Sequence, residues 1–327
     1  MTEFETNSNR LTINRLNGGL LAPPHELARV ADHGQRRHRT LVSFDFDSRA
    51  TALSMEIHEH WDEQTKAMWR ENKTQIINGL RQTFGESDID RKVQNFTDMG
   101  VKPFSIIAYH NVFFDQVRSA FTAGAYYPAL VAACALGERI LNHLVLDLRD
   151  EFRKTPEYKK VYNKSSFDNW KLAIGTLAAW DVLRPEIVEE FGRLAELRRR
   201  SIHFNVDTYT KLRDDALTAI AHLRVIIDRQ FGAFGTQPWF IMGVRGAAFI
   251  KREYETRPFI RRYFLPQSPF VGVRSGFDRQ FQLLDFQDYG DGELTDQEFC
   301  EAYNSRDPAS VAGTEAVGIA DGQNQHK

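Results

Sequence analysis

The sequence has few cysteines and little net charge, and each shortage excludes a class of protein. Its 327 residues include only 2 cysteines, Cys134 and Cys300, which lie far apart and have no metal-ligand spacing around them. This argues against a disulfide scaffold and a cysteine-bound zinc site, and it is typical of a reducing compartment. The 42 Lys and Arg residues nearly balance the 44 Asp and Glu residues, which excludes a uniformly basic nucleic-acid binder.

The sequence also lacks the usual signs of membrane and secreted proteins. Residues 1–9 are acidic and polar, unlike the basic and then apolar start of a signal peptide. The longest clean apolar run, from Ala129 to Leu136, is shorter than the roughly 20 residues that span a bilayer. There is no P-loop, Gly-rich dinucleotide turn or Gly-x-Ser-x-Gly elbow. We therefore expect a soluble, cytoplasmic protein with no membrane partner.

What the sequence does contain is a series of amphipathic helical patterns. Apolar residues recur three or four positions apart over 52–84, as one helix or an interrupted one, and a short helix is predicted over 88–97. Five longer helices are predicted over residues 104–122, 128–152, 166–183, 185–204 and 208–231. Pro128 and Pro185 fit first-turn positions, where a missing N–H costs nothing. Short polar joints between long helices predict an antiparallel helical bundle over residues 101–233.

The regions on either side of this bundle differ from it in composition. Residues 1–50 form an irregular N-terminal segment with a short strand predicted over 40–46, and residues 51–100 form an N-terminal helical region. Residues 234–308 predict a small basic, β-containing region, and residues 309–327 a disordered tail. The predicted fold class is therefore mainly α.

The helix predicted over 185–204 carries an arginine on its apolar stripe. The stripe consists of Ile187, Phe191, Leu194 and Ile202. At 100° per residue Arg198 falls in the middle of it. A guanidinium cannot be neutralised, so a core-facing position is costly unless it meets an anion, a hydrogen-bonding partner or another subunit.

Three further residues accompany Arg198. His203 lies at the edge of the stripe on the same face as Arg199, so both side chains can reach one point near the end of the helix. Histidine is the side chain that titrates near neutral pH. Glu138 lies among apolar residues of the upstream helix and needs a partner, for which Arg198 is the economical candidate. Such a pair is either part of a reactive site or a buried structural salt bridge.

These residues resemble the HEPN (higher eukaryotes and prokaryotes nucleotide-binding) domain family. The resemblance rests on the helix YYPALVAACALGERIL (residues 126–141), followed by Arg198-x4-His203, and it covers residues 101–233 but not the flanks. It implies an up-down helical bundle with an Arg-x4–6-His motif, which in many members is a metal-independent ribonuclease. Such proteins commonly dimerise so that two motifs face one RNA cleft. Arg199 departs from the pattern, because the residue after the motif arginine is often a small polar one such as Asn.

The resemblance also implies residue roles and partners. Arg198 and His203 would be catalytic, Glu138 and Arg199 supporting, and no metal or other cofactor would be needed. The RNA 2′-OH would attack the adjacent phosphodiester, His203 would move the proton, and Arg198 would stabilise the phosphorane-like oxygens. The products would be a 2′,3′-cyclic phosphate and a 5′-OH end, and DNA would resist. The implied context is a homodimer in toxin or antiviral defence, with a possible antidote or other defence-system protein as a partner.

A second candidate RNA contact is the basic, aromatic stretch 240–284. It carries 8 Lys and Arg against 3 acids, a net of +5, whereas 285–327 carries 10 acids against 2 bases, a net of −8. The candidate RNA-binding residues are Lys251, Arg252, Arg261 and Arg262, with aromatic rings to stack on bases. The alternative is a small β-containing domain whose aromatic residues form its core and whose charges are solvated.

Three other signals have structural alternatives. Residues 290–299 resemble the second half of an EF-hand loop, but positions 1 and 3 would then be Gln287 and Tyr289, where calcium needs carboxylate or amide oxygens. An acidic loop that caps a short helix from Asp296 explains the pattern as well. On a helix His58 and His60 would point about 200° apart and could not share a metal without unwinding, so a solvated polar face is the favoured interpretation. The basic cluster Arg36–Arg39 fits either a loop anchor or a phosphate contact.

Three functional hypotheses follow from these residues. The first, which the motif favours, is a HEPN-type endoribonuclease. The second is a non-catalytic module that holds a nucleotide, RNA or partner protein, and the third is a structural interaction domain. The enzyme requires Arg198 and His203 to be accessible and clustered. Burial of Arg198 against Glu138, with His203 elsewhere, would favour the other two.

Overall fold

The structure is a computed structural model that describes residues 10–15, 34–41, 45–202, 208–279, 282–286, 289, 292–307 and 310–312. Over these ranges the protein is mainly helical with a few short antiparallel strands, so the predicted fold class is confirmed at this level. Its contacts divide the chain into two compact units. The helical unit is Ser43–Gly232, and the mixed unit joins Met1–Val42 with Ala233–Lys327. The five-segment division from composition stays a prediction.

The helical unit begins with helices α1 (Arg49–Ser54), α2 (Glu63–Phe84) and α3 (Ile89–Asp98). The pattern predicted over 52–84 is thus an interrupted helix. The Asp62 side chain begins α2 by accepting a hydrogen bond from the Thr65 N–H at 2.8 Å. Helix α2 ends at Gly85 as predicted, where a φ of 80° is a conformation that glycine adopts without strain.

His58 and His60 lie in the segment between α1 and α2. The expectation that they point apart on a helix is therefore wrong. Their exposed rings stack with centroids 5.4 Å apart. Among the described residues, no group of three or more His, Cys, Asp or Glu side chains could hold a metal ion.

The predicted helical bundle is confirmed. Its members are α4 (Ala108–Thr122), α5 (Tyr126–Leu148), α6 (Tyr158–Val161), α7 (Trp170–Ala179), α8 (Pro185–Ile202) and α9 (Thr208–Phe231). A short 3-10 turn, Arg149–Phe152, extends α5. Helix α5 packs against α4, α7, α8 and α9, so it is the central helix of the bundle.

Helix α4 begins later than predicted because residues 104–107 are not helical. The Ser105 N–H donates to the side-chain oxygen of Asn111 at 2.9 Å, and the Ile106 N–H donates to the Phe231 carbonyl at 2.9 Å. These bonds tie the segment to the end of α9. A local apolar pattern does not reveal such a distant backbone partner.

Helix α7 is shorter than predicted at both ends. Before it, the Phe167 N–H donates to the Asn142 side chain at 2.6 Å, which holds the chain outside a helix. Asn169 then caps α7 by accepting from the Leu172 N–H at 3.1 Å. After it, Asp181 has a left-handed backbone with a φ of 54°, which is incompatible with a continuing helix.

Helix α5 carries much of the bundle core. Most of its apolar residues between Ala129 and Val145 are buried against neighbouring helices. In the part of the chain that the structure describes, Tyr126–Phe152 is the one helix long and apolar enough to cross a membrane, and 56% of its most apolar window is buried. A buried core helix of a soluble protein has the same length and composition, so the fold is compatible with a soluble protein.

The mixed unit contains two small antiparallel sheets. One has the strand order β1 (Arg10–Arg15), β6 (Gln282–Phe286), β5 (Gly276–Phe277), and the other β3 (Ala248–Phe249), β2 (Arg36–Thr40), β4 (Phe270–Gly272). The strand predicted over 40–46 therefore lies earlier, at the basic cluster itself. Residues 42–44 lie outside the described residues.

Two arginines of this cluster are buried in the central strand β2. Arg36 and Arg37 are each 1% exposed. The Arg36 Nε atom lies 3.3 Å from an Asp285 carboxylate oxygen, and the Arg37 Nε atom donates to Asp296 at 2.7 Å. Both guanidiniums are thus satisfied by protein groups, as buried charges must be. For Arg36 and Arg37 the anchor interpretation of the cluster is therefore correct and the phosphate contact is not. The anchor lies in a strand and not in a loop.

The aromatic residues of 240–284 lie mainly inside the mixed unit. Phe249, Phe259, Tyr263 and Phe264 are buried, and the Phe249 ring centroid lies 4.8 Å from that of Phe299. For these rings the core alternative is correct, since a buried ring cannot stack on a base.

Helix α10 (Asp296–Ser305) explains the EF-hand-like segment. The Thr295 hydroxyl accepts from the Glu298 N–H at 3.2 Å, and the Glu298 carboxylate accepts from the Thr295 N–H at 2.8 Å. This reciprocal capping box uses the glutamate that calcium would need. The helix-capping alternative is confirmed.

Candidate functional site

A cavity of about 480 Å³ lies against one face of α5 in the helical unit. Its wall consists of Val131, Ala135, Glu138, Arg139, Asn142, His143, Leu146, Ser165 and Arg198. The first seven recur at helical spacing along α5, whereas Ser165 precedes α7 and Arg198 belongs to α8. The volume lies within the range of about 300–1,000 Å³ typical of small-ligand sites.

The predicted pair of Arg198 and Glu138 forms part of this wall. The Arg198 Nη2 atom lies 2.9 Å from Glu138 Oε2, and the two side chains are 33% and 35% exposed. The expectation of a core-facing guanidinium needs correction, because the stem follows the apolar stripe while the charged end reaches water. An ion pair this exposed adds little to stability, about 0–1 kcal/mol.

Trp170 fixes the geometry of this pair. Its indole Nε1–H donates to the same Glu138 oxygen at 3.1 Å, and the Arg198 guanidinium lies 5.6 Å from the centre of its ring. The carboxylate thus binds both neighbours, and the indole face adds a cation–π contact. Arg198 is held in one orientation at the cavity. This contact was not predictable from local sequence patterns, because they do not indicate which acceptor a buried indole will find.

Gly137 allows this close packing. A Cβ atom at this position would lie 2.8 Å from Trp170 Cη2 and 2.7 Å from Leu194 Cδ2, inside their van der Waals contact distance. The absence of a side chain therefore lets α7 and α8 approach α5 beside Glu138.

We expect Gly137→Ala to lower the free energy of unfolding by about 1–3 kcal/mol, since overpacking outweighs the better helix propensity of alanine. Thermal unfolding and tryptophan fluorescence would measure the loss and the displacement of Trp170. The matched controls are Gly175→Ala and Gly192→Ala, because no atom lies within 4 Å of a Cβ at either helical position. Equal midpoints for all three variants would contradict this packing.

Asn142 connects two parts of the wall. Its Nδ2 donates to the Glu138 carbonyl at 2.9 Å and to the Phe167 carbonyl at 3.1 Å, and its Oδ1 accepts from the Phe167 N–H. The two bonds with Phe167 fix the segment that carries Ser165 against α5. The wall is therefore built from hydrogen-bonded side chains.

The charges around the cavity favour an anion. Arg139 and Arg198 bring two positive charges and Glu138 one negative charge, and His143 adds a titratable ring. The Arg139 guanidinium lies 5.1 Å from the Phe113 ring centre and is exposed. With a neutral histidine the wall has a net charge of +1, and protonation would raise it. Such a concave positive surface attracts phosphate or carboxylate groups.

Cys134 is buried on α5 and is not part of the cavity wall. Burial raises the pKa of its thiol to about 12, although the charge of Arg198 acts in the opposite direction. A thiol that stays protonated at neutral pH is neither a nucleophile nor a metal ligand. Both cysteines are free, as expected from the sequence.

Arg199, the other described residue of the predicted catalytic and supporting set, is not part of the cavity wall. Arg199 is exposed on α8, where its Nη2 lies 2.5 Å from Glu196 Oε1. His203 lies outside the described residues, so its clustering with Arg198 and Arg199 stays a prediction. Among the predicted catalytic and supporting residues, the structure brings together Arg198 and Glu138.

The four candidate RNA-binding residues belong to the mixed unit. Arg261 and Arg262 are exposed, whereas Lys251 and Arg252 are half-buried. The Lys251 ammonium lies 5.8 Å from the Tyr254 ring centre and the Arg252 guanidinium 5.6 Å from that of Phe270. Their role as RNA contacts stays a prediction.

The sequence interpretation missed four polar members of the wall: Arg139, Asn142, His143 and Ser165. His143 lies on α5 and is exposed. The available signal was the helical spacing of Glu138, Asn142 and His143 on the less apolar face of α5. Ser165 gave no signal, since a loop position has no periodicity.

Comparisons with protein-family models, curated proteins and solved structures find no match for this chain. No family is therefore assigned, and the chemistry of the cavity is inferred from its own residues.

Proposed function

We propose that this protein is a HEPN-type, metal-independent endoribonuclease with Arg198 and His203 as its catalytic residues. The observation that carries this proposal is the placement of Arg198, which Glu138 and Trp170 hold at the wall of a positively charged cavity. Its side chain is one third exposed, so the guanidinium is accessible to a ligand in the cavity. The helical bundle of this protein would then be of the HEPN type.

Arg198 would bind the scissile phosphate and stabilise its transition state. A guanidinium has five N–H donors in a planar fork, and the contact with Glu138 engages one nitrogen, Nη2. The other donors can reach the oxygens of a phosphate, where negative charge develops as the RNA 2′-OH attacks.

His203 would accept the proton of the attacking 2′-OH. His203 comes five positions after Arg198 and directly follows Ile202, the last described residue of α8. The bond from O2′ to phosphorus forms and the bond from phosphorus to O5′ breaks, which leaves a 2′,3′-cyclic phosphate and a 5′-OH end. DNA lacks this nucleophile and should not be cut.

The biological setting is proposed from the resemblance. It is a cytoplasmic homodimer that acts on RNA in toxin or antiviral defence, with a possible antidote or other defence-system protein as its partner. Arg199 would support the motif, and Lys251, Arg252, Arg261 and Arg262 would add RNA contacts from the mixed unit.

The test is cleavage of total RNA in EDTA, with end-group determination on the fragments. We expect the wild type to cut and His203→Ala to be slower by about 10²–10⁴-fold, the usual contribution of a general acid or base. His60→Ala is the matched control, because this exposed histidine lies outside the cavity, and it should cut at the wild-type rate. Absence of EDTA-resistant cleavage, or a His203→Ala rate equal to wild type, would reject the nuclease.

A non-catalytic nucleotide-, RNA- or protein-binding module is the second candidate. The Arg198–Glu138 contact favours it, because a guanidinium already bound to a carboxylate has less charge to offer a reacting phosphate. This module would bind RNA or nucleotides in a titration and lose affinity in Arg198→Ala, yet release no fragments.

A further inference from the structure

We propose that His143 is the second proton-transfer residue of this site and that it protonates the departing 5′-oxygen. This inference rests on the proposed ribonuclease function. It assigns a catalytic role to a residue outside the Arg198/His203 motif.

The reaction itself requires two proton transfers. As the O2′–P bond forms, the 2′-OH loses its proton to His203, and as the P–O5′ bond breaks, the leaving oxygen gains one. An alkoxide is a poor leaving group, so a positioned acid that supplies this proton accelerates the step. Afterwards His203 carries the additional proton and His143 lacks one, and exchange with water restores both. No oxidant, reductant or metal is needed.

The cavity brings His143 to the same wall as Arg198. His143 belongs to α5 and Arg198 to α8, so the two side chains approach a bound phosphate from different helices. His203 continues the chain after α8. In an in-line displacement the attacking and leaving oxygens lie on opposite sides of phosphorus. His143 on α5 can therefore supply the acid from a different helix than the one that carries Arg198.

The surroundings of His143 suit an acid that exchanges protons with water. Its ring is exposed, and its centroid lies 4.9 Å from that of Tyr109 on α4. The titratable and charged groups around it are Tyr109 and His110 of α4, Glu138, Arg139 and Asp147 of α5, and Arg198 of α8.

The neighbouring candidates for this role are unsuitable. Burial raises the pKa of the Tyr109 hydroxyl, and burial together with the charge of His143 lowers the pKa of His110 to about 3. At neutral pH Tyr109 therefore holds its proton tightly and His110 has none to donate. Among the described residues of the cavity wall, His143 is the single histidine, the residue type whose side chain titrates near neutral pH.

The experiment compares two forms of one RNA oligonucleotide that spans a cleavage site mapped with the wild type in EDTA. One form is natural, and the other has sulfur in place of the O5′ atom at that site. A thiolate leaves without a proton, so a general acid no longer matters. We expect His143→Ala to slow the natural substrate by at least about 10²-fold and the sulfur substrate by less than about 10-fold, whereas His203→Ala should slow both.

A pH–rate profile gives an independent readout. An acid must be protonated to act, so wild-type cleavage should fall at alkaline pH, and His143→Ala should lose that fall. His143→Gln introduces a polar side chain of similar size that cannot act as an acid near neutral pH, so it should behave like the alanine variant. Far-UV circular dichroism would verify that both variants are folded.

The outcomes separate the two proposals. If the wild type cuts RNA and His143→Ala cuts it equally well, the role of His143 is wrong while the nuclease stands. An equal loss on both substrates would assign His143 to phosphate binding or structure and would also overturn the inference. If the wild type does not cut at all, the proposed function fails and this inference fails with it.

Discussion

Replacing Arg198 with alanine should slow RNA cleavage by about 10²–10³-fold, the usual loss when a donor to transition-state charge is removed. The free energy of unfolding should change by less than about 1 kcal/mol, since the pair with Glu138 is one third exposed and screened by water. A large loss of rate without a loss of stability is the signature of a reactive residue. Initial rates in EDTA and urea unfolding of the same preparations would measure both quantities.

Two further variants make this result specific. Arg193→Ala is the matched control, because Arg193 lies on the same helix, pairs with Glu189 and Glu190, and is not part of the cavity wall. It should cut RNA at the wild-type rate. Arg198→Lys keeps the charge but loses the planar fork, so we expect an intermediate rate. Wild-type cleavage by Arg198→Ala would refute the catalytic assignment.

Replacing Arg36 with alanine should destabilise the mixed unit by about 3–5 kcal/mol, the cost of leaving a buried charge without its partner. Asp285 is completely buried and accepts hydrogen bonds from Arg36, from the Gly272 N–H at 2.9 Å and from the Tyr289 hydroxyl. Loss of the guanidinium removes the positive charge that makes this burial tolerable. Urea unfolding, with hydrogen exchange over β2 and β6, would localise the effect.

The loss should depend on pH in a defined direction. Burial raises the pKa of Asp285, while the Tyr289 hydroxyl, the Gly272 N–H and the charge of Arg36 act in the opposite direction. Without Arg36 the folded-state pKa should rise further above the value of about 3.9 for an unfolded aspartate. Stability is then fully present below that value and is lost as the pH rises through the folded-state pKa. Arg36→Ala should therefore lose less stability in acid than at pH 7.

Matched variants separate the buried charge from a lost contact. Arg91→Ala removes an exposed arginine that pairs with Asp88 at 2.9 Å and should cost less than about 1 kcal/mol. The double variant Arg36→Met with Asp285→Asn removes both charges but keeps an acceptor for the Gly272 N–H, so it should recover much of the loss. If Arg36→Ala and Arg91→Ala unfold at the same denaturant concentration, the ion pair does not stabilise the unit.

Local signals predicted the elements that have local causes. Pro185 begins α8 because its fixed backbone suits a first turn, and α9 has the bounds Thr208–Phe231 expected from its apolar face. Helix α2 ends where Gly85 permits a left-handed backbone. In these cases the residues that decide the structure are close to it in the sequence.

The errors have distant causes. Nothing near Arg36 and Arg37 in the sequence indicates that their charges will be buried against Asp285 and Asp296. The Arg198–Glu138 pair was predictable because both residues interrupt apolar stripes. The cation–π contact with Trp170 was not predictable, because it depends on how α7 is placed beside α5. The cavity arises from that packing.

The discontinuity of the mixed unit governs the order in which the protein can assemble during synthesis. Strand β2 leaves the ribosome early, but Arg36 finds its partner Asp285 only after 249 further residues. The helical unit is continuous between Ser43 and Gly232, so it is complete before β3, β4 and β6 exist. Its folding keeps the two parts of the mixed unit from having to search across an unfolded loop of that length. Before Asp285 and Asp296 are synthesised, Arg36 and Arg37 remain exposed to water, where their charges are hydrated and favour solubility of the unpaired strand β2.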